Sequence, residues 1–397
     1  MQRDEMTVDI TIVGAGIVGL ATAHSVQQRF PDKRVLVLEK ESRPGLHQTG
    51  RNSGVIHSGI YYKPGSFKAR FCKAGNASMQ AFCLEHDIPF EMCGKVIVAS
   101  EQRDLAQLDK LYLRGVENGL VVRRLAADEM REIEPHIAGL AGLYVPSTGI
   151  VDYKLVLERL ASLIRARGGE IRCDTRVLSV NGRVVETTSG PFETGTLINC
   201  AGLYSDRLAR SAGADVDARI VPFRGEYYQL KPDKAALVKG LIYPVPNPDF
   251  PFLGVHCTRM MDGSVHLGPN AVLAFSREGY HKSTVSFRDL AETLTFPGFW
   301  KLAARHWRDG AREMVRSYSR AAFVRSLQRL VPEITEDDVI PSDAGVRAQA
   351  LRPDGTLEDD FLIVQHAGAI HVCNAPSPAA TAALEIGRTV AAAITSV

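Results

Sequence analysis

Three glycines, Gly14, Gly16 and Gly19, stand in a G-x-G-x-x-G spacing, and an acidic residue, Glu39, follows twenty residues after the last of them. The chemistry this pattern suits is the grip on a pyrophosphate. Gly14 permits a tight turn, Gly16 lets the backbone approach the phosphates, and Gly19 lets a helix pack close to a strand. The phosphates then meet a helix N-terminus, where free N–H groups and the dipole favour negative charge. Glu39 is placed to bind ribose hydroxyls. Ile17 at the helix start and Lys40 beside the glutamate belong to the same edge. These residues need a particular frame. Val8-Asp9-Ile10-Thr11-Ile12-Val13 reads as a strand, a helix runs from Gly16 to about Arg29, and Val35-Leu36-Val37-Leu38 reads as a second, parallel strand. With strands on both sides and the acid at the right distance, the motif marks a βαβ unit for a dinucleotide.

The remaining chain reads as an α/β protein of two domains, which its 397 residues allow. Helices are expected near 67–86, 101–118 and 153–167, the last capped by Asp152. Leu197-Ile198-Asn199-Cys200 ends in Ala201-Gly202, again like a strand end in a nucleotide fold. From Val221 to Leu273 short strands and prolines dominate (Pro222, Pro244, Pro246, Pro248, Pro251), with an Asp262-Gly263 hairpin signal. This texture predicts a mainly antiparallel sheet, joined by helices over 286–331. The expected division is a discontinuous, Rossmann-like FAD-binding domain (1–95, 150–215, 340–397) and a substrate domain (96–149, 216–339).

Composition excludes several classes. The net charge of +2 leaves no basic footprint for nucleic acid. Seven cysteines without a C-x-x-C pair argue against a disulfide framework or a cysteine zinc site, and for a reducing compartment. No metal site is expected. No apolar run reaches membrane-span length, and Met1 to Met6 is polar, so a cytoplasmic protein is expected. Oligomeric state is not legible.

One glycine motif implies one nucleotide cofactor, and two features favour FAD over NAD. The loop Thr49-Gly50-Arg51-Asn52-Ser53-Gly54 is rich in small hydrogen-bonding residues suited to a pyrophosphate or flavin edge. Near the end, Asn374-Ala375-Pro376-Ser377-Pro378-Ala379-Ala380-Thr381 offers Ser377 as an N-cap and Pro378 as the first helical residue. A helix starting there would aim its positive end at a reduced flavin. The other reading is a plain, well-capped surface helix.

These blocks, with His47-to-Tyr62, Pro222-to-Tyr227, Phe252-to-His256, Gly268-to-Ala271 and Ala344-to-Gln349, resemble the FAD-dependent L-2-hydroxyglutarate dehydrogenase (oxidase) family, within the D-amino-acid-oxidase-like flavoproteins. One departure is Arg51, where bacterial members carry histidine. The resemblance implies oxidation of a 2-hydroxydicarboxylate, L-2-hydroxyglutarate, to 2-oxoglutarate by non-covalent FAD, with electrons passed to quinone. It places Val177, Ala201 and Gly202 with the cofactor. Another superfamily oxidation, of an amine or glycerol phosphate, and a non-catalytic nucleotide-binding regulator remain alternatives.

Such a reaction needs a base for the hydroxyl proton, an acceptor for the Cα hydride and cations for the carboxylates. His57 is the leading base, because imidazole titrates near working pH; His256 competes. If Val55–Tyr62 is extended, His57 and Tyr61 share one face and Ile56 and Tyr62 the other. Arg347 is the leading carboxylate clamp, and Gly345 allows close approach at that strand. The second carboxylate has weaker candidates in Arg259, Arg224, Tyr61 and Tyr243. Finally, Trp300 and Trp307 fall in a basic stretch, 299–329. It reads either as a face for quinone delivery on the inner membrane surface or as a solvated helix with inward-packed tryptophans.

Overall fold

The computed structural model describes residues 7–247 and 253–395, so Met1–Met6, Pro248, Pro251 and Phe252 lie outside the described residues. The first strand, Thr7–Val13, pairs in parallel with Val35–Leu38 on one side and Phe192–Asn199 on the other. Val35–Leu38 continues in parallel to Glu170–Arg172, and Phe192–Asn199 to Ala369–Asn374. All four residues of Val35–Leu38 are buried, as expected of a strand covered on both faces. Helix Ile17–Arg29 crosses over and packs between helix Tyr153–Ala166 and the terminal helix Ala383–Ala392.

This topology places the motif residues. Gly14 follows the end of Thr7–Val13, Glu39 follows Val35–Leu38, Ala201 follows Phe192–Asn199, and Ala375 follows Ala369–Asn374. Four segments distant in sequence therefore meet outside the carboxyl ends of parallel strands, where open α/β sheets bind ligands.

Among the described residues, a second sheet runs in the order Val339–Pro341, Tyr228–Leu230, Val265–Gly268, His256–Arg259, Leu241–Pro244, Lys95–Ala99, Ala141–Val145, Arg123–Ala126. It is antiparallel apart from the Leu241–Pro244 and Lys95–Ala99 pair. The Asp262-Gly263 turn joins two of its strands, with Gly263 at φ +83°. A small sheet carries Arg219–Gly225 between Val272–Leu273 and Gly345–Leu351. Strands 123–126 and 141–145 were not expected. Gly142, in the second of them, weakens a strand signal yet fits here because Met130 Sδ would lie 2.5 Å from any added Cβ.

Two local expectations fail. The chain is extended only over Val55–Ile56; Gly59 at φ +97° turns it, and the Tyr62 amide closes on the Gly59 carbonyl at 3.2 Å. Tyr61 and Tyr62 therefore both reach the same cavity instead of opposite faces. The last helix also starts later than Ser377: it spans Ala383–Ala392 with Ala382 at its cap, and the Ser377–Pro378 peptide is cis. Residues 377–382 form successive turns, with Ala379 N–H bonded to Pro376 O and Ala382 N–H to Pro378 O.

Candidate active site

A single cavity of about 1210 Å³ runs from the glycine loop to the second sheet. Its nucleotide end is built around the first strand. Gly14 has φ +101°, and a Cβ there would lie 2.5 Å from the Cys200 carbonyl oxygen. Gly19 has no room either, since its Cβ would meet Gly14 O at 1.9 Å. Gly16 differs: its absent Cβ has only Thr49 Oγ1 near it, at 3.4 Å, so this face is open. Glu39 is buried and pre-positioned. Its carboxylate accepts from Ala15 N–H at 2.9 Å and Glu41 N–H at 3.0 Å. Thr49 Oγ1 accepts from Ile17 N–H at 3.0 Å, and Asn52 Oδ1 accepts from Gly54 N–H at 2.8 Å, which fixes the loop. Lys40 is held by Glu41 and Glu278 and lies 2.8 Å from His47 Nε2.

The structure gathers nearly all the expected residues on this wall. Gly14, Gly16, Ile17, Gly19, Glu39, Lys40, Thr49, Asn52, Ser53, Val177, Ala201 and Gly202 line it, as do Pro376, Ser377, Ala379 and Ala380. His57, Tyr61, His256 and Arg347 line the same cavity. Asn374 and Thr381 do not. Their side chains are occupied as internal ties. Asn374 Nδ2 donates to Glu358 O and Asp360 O, and Thr381 Oγ1 accepts from His57 N–H at 3.1 Å while donating to Val55 O at 3.2 Å. The sequence reading missed Tyr62 and Tyr227, which also line the cavity. Both lie inside the family-like blocks, the one signal that could have marked them.

Arg347 projects from Gly345–Leu351, of which Val346, Arg347, Ala348 and Gln349 all border the cavity. Val346, Ala348 and Ala350 belong to a hydrophobic cluster, while Arg347 and Gln349 alternate with them. This is the two-residue period of a strand. At its start, a Cβ on Gly345 would lie 2.7 Å from Arg51 O, the close approach expected of that glycine. Burial pushes the Arg347 guanidinium down, opposed by Tyr227 and Glu313. Glu313 comes from helix Pro297–Tyr318, is buried, pairs with Arg316 and accepts from Ala271 N–H at 3.0 Å.

His256 is buried, stacks on Tyr243 at a centroid distance of 4.0 Å, and has Nδ1 2.9 Å from Gly254 O. That contact assigns the proton to Nδ1 and leaves Nε2 as an acceptor. Burial, then the charge of Lys95, then His256 push His57 down to about 3. Burial likewise pushes His256 to about 3, with Arg347 and Lys95 adding to it. Both imidazoles are therefore neutral at neutral pH, and the reason differs from the one expected: burial beside cations removes their charge, instead of an ordinary imidazole poised near 7. Arg224 and Arg259 leave the list of carboxylate binders. Arg224 is paired with Glu226 at 3.0 Å and Arg259 with Glu91, and neither lines the cavity. Tyr243 does line it.

A family model described as FAD dependent oxidoreductase (DAO) matches residues 9–393. The chain is 52% identical to an L-2-hydroxyglutarate dehydrogenase of Indibacter alkaliphilus over 97% of this chain and 98% of that one. It is 48% identical to an L-2-hydroxyglutarate dehydrogenase of Escherichia coli over 96% and 91%. In fold it is similar to the dithionite-reduced L-α-glycerophosphate oxidase of Mycoplasma pneumoniae with FAD bound, with a TM-score of 0.78 at 24% identity over 96% and 93% of the two chains.

Proposed function

The chain belongs to the FAD dependent oxidoreductase family, and on that footing we propose that it oxidises L-2-hydroxyglutarate to 2-oxoglutarate. The observation that carries this reading is the continuity of one cavity from a dinucleotide edge to an electropositive chamber holding two neutral imidazoles. The residues present fit FAD. Glu39 is aligned for ribose hydroxyls, and the open face at Gly16 leaves room for phosphates beside the helix start. Bound FAD supplies the two-electron acceptor, at its flavin N5.

The chain's own residues then have distinct tasks. The neutral His57 imidazole takes the substrate hydroxyl proton as Cα gives up its hydride, so the carbinol becomes a ketone with proton and electron pair both accounted for. Arg347 grips the carboxylate next to that carbon with its planar fork. His256, held by Gly254 and Tyr243, forms a rigid wall that also excludes water. Anaerobic addition of L-2-hydroxyglutarate, its D-enantiomer and lactate separately to the purified protein tests this. Rapid bleaching of the flavin band by the L-dicarboxylate alone is expected. Bleaching by the D-enantiomer or lactate instead would assign a different substrate, and no bleaching by L-2-hydroxyglutarate would reject this reading.

Gly16→Ala is expected to leave the apoprotein's melting transition unchanged, because the added Cβ meets only Thr49 Oγ1, at 3.4 Å. It should weaken FAD binding by at least about tenfold, ~1.4 kcal/mol. Purification with a full complement of flavin would contradict the placement of the phosphates.

We further propose that electrons pass to a quinone at a membrane surface. No helix among the described residues is long and apolar enough to cross a membrane. Helix Pro297–Tyr318 nevertheless supports a docking face: Trp300 is 57% exposed and Trp307 62%, outward rather than inward, among Arg305, Arg308 and Arg312. Leu302, Arg305 and His306 of the same helix reach the cavity lining, so a surface seated there would adjoin the cavity. Co-sedimentation with phosphatidylglycerol vesicles at low salt is expected, and its loss when Arg305, Arg308 and Arg312 are changed to Ser. Absence of sedimentation at low salt would remove the proposal.

A further inference from the structure

Lys95 opens the buried strand Lys95–Ala99 and is 1% exposed. Its Nζ lies 4.4 Å from the Tyr61 ring centroid and 5.0 Å from that of Tyr243. Both rings line the cavity, so the amine stands directly behind the wall. Among the described residues no carboxylate comes within ion-pair distance of it, whereas Arg224, Arg259 and Lys40 each have one. Its charge is felt by the imidazoles of His57 and His256, and the Cys72 thiol acts on it in turn. Among the described residues the buried Tyr61 hydroxyl has no hydrogen-bond partner. A buried cation without a counter-charge and a buried donor without an acceptor are both unfavourable. One anionic ligand group at this point of the wall satisfies both.

We propose that Lys95 is the positioning residue that makes the site select a dicarboxylate over a monocarboxylate: the substrate's distal carboxylate accepts from the Tyr61 hydroxyl and is balanced by the Lys95 ammonium behind it, while Arg347 holds the other carboxylate. The inference rests on the hydroxydicarboxylate reading above. In a low-dielectric interior a charge one ring away still acts strongly. Burial holds Lys95 down at about 7, so the free site is half-charged near neutrality and takes up a proton as the dianion binds. Affinity for a dicarboxylate therefore falls as pH rises through about 7. The groups facing it do not confuse this reading. His57 and His256 sit near 3, Cys72 is raised to about 12, Tyr61 and Tyr243 are raised, and burial pushes Arg347 down from a value far above this range.

The test compares L-2-hydroxyglutarate with L-2-hydroxyvalerate, which has the same carbon count and no distal carboxylate. Lys95→Met is expected to raise KM for the dicarboxylate roughly 10- to 100-fold, the scale of losing one unit charge a ring away from a buried anion at an effective dielectric constant of about 20, with kcat little changed. KM for the monocarboxylate should not move, and Lys95→Arg should recover most of the loss. Independently of any variant, the dissociation constant of glutarate for the wild-type holoenzyme, read from the flavin band, should rise between about pH 6 and 9. A flat glutarate profile, or a Lys95→Met enzyme that keeps wild-type discrimination, would overturn the role of Lys95. A wild-type flavin that L-2-hydroxyglutarate does not bleach would instead overturn the substrate reading on which it rests.

Discussion

With His57 replaced by alanine, anaerobic flavin reduction by L-2-hydroxyglutarate is expected to slow roughly 100- to 10,000-fold, the range a positioned general base contributes. The effect should be chemical and not a collapse of the loop. The backbone at His57 is tied independently of its ring: its N–H donates to Thr381 Oγ1 at 3.1 Å, and its carbonyl accepts from Asn76 Nδ2 at 3.0 Å and from Cys72 Sγ at 3.3 Å. The variant should therefore bind FAD and glutarate nearly as well as wild type. The pH dependence has a definite sign. With the free imidazole held down to about 3, it stays deprotonated and able to accept as pH falls, and loses that capacity only near this value. No histidine limb is expected in the flavin-reduction rate of the free enzyme between about pH 5 and 8. Stopped-flow reduction of His57→Ala and His256→Ala side by side decides between the two rings. A near wild-type rate in His57→Ala with a collapse in His256→Ala would move the base to His256, whose Nε2 is the ring's free acceptor.

Arg347→Met is the second large effect. A clamp that loses a buried, hydrogen-bonded charge pair with its ligand costs about 2–5 kcal/mol in analogous truncations, or ~30- to several-thousand-fold in kcat/KM. KM should carry most of this, since the carboxylate is bound equally in ground and transition states. Arg347→Lys should fall between the two, because lysine keeps the charge and loses the fork. The strand itself should tolerate the change. Residue 347 stands opposite Phe223 within a seven-residue antiparallel register, and Glu313 keeps Arg316 as a partner. A Michaelis constant unchanged in Arg347→Met would show that the clamp lies elsewhere.

The two halves of the site differ in how far they were legible. The nucleotide half depends on local chemistry. A positive-φ turn at Gly14, an open face at Gly16 and an acid at the next strand end are each encoded within one βαβ unit, so spacing alone located them. The small, hydrogen-bonding composition of the loop after Glu39 extended that to Thr49, Asn52 and Ser53. The failures have a common physical origin. Ser377-Pro378 carries the local signature of a helix start, yet tertiary packing makes it a run of turns before Ala383. Thr381 and Asn374 have the polarity of binding residues, but buried carbonyls and amides nearby claim their side chains first. Tyr62 joined Tyr61 on the cavity because Gly59 broke the alternation assumed for an extended chain. Arg224 and Arg259 looked like spare cations until their partners, Glu226 and Glu91, were seen.

By itself the sequence determined that a dinucleotide binds at Gly14 to Gly19, that an α/β fold holds it, and which flavoprotein family the chain resembles. These follow from short-range backbone geometry and from ordered blocks along the chain. Only the tertiary structure decided which charges remain for a ligand. Charge on a buried group depends on desolvation and on neighbours brought from distant strands. His57 and His256 lose theirs, Arg224 and Arg259 are paired with glutamates, and Lys95, a lysine at the head of a strand, keeps a buried amine against the site with no carboxylate beside it among the described residues.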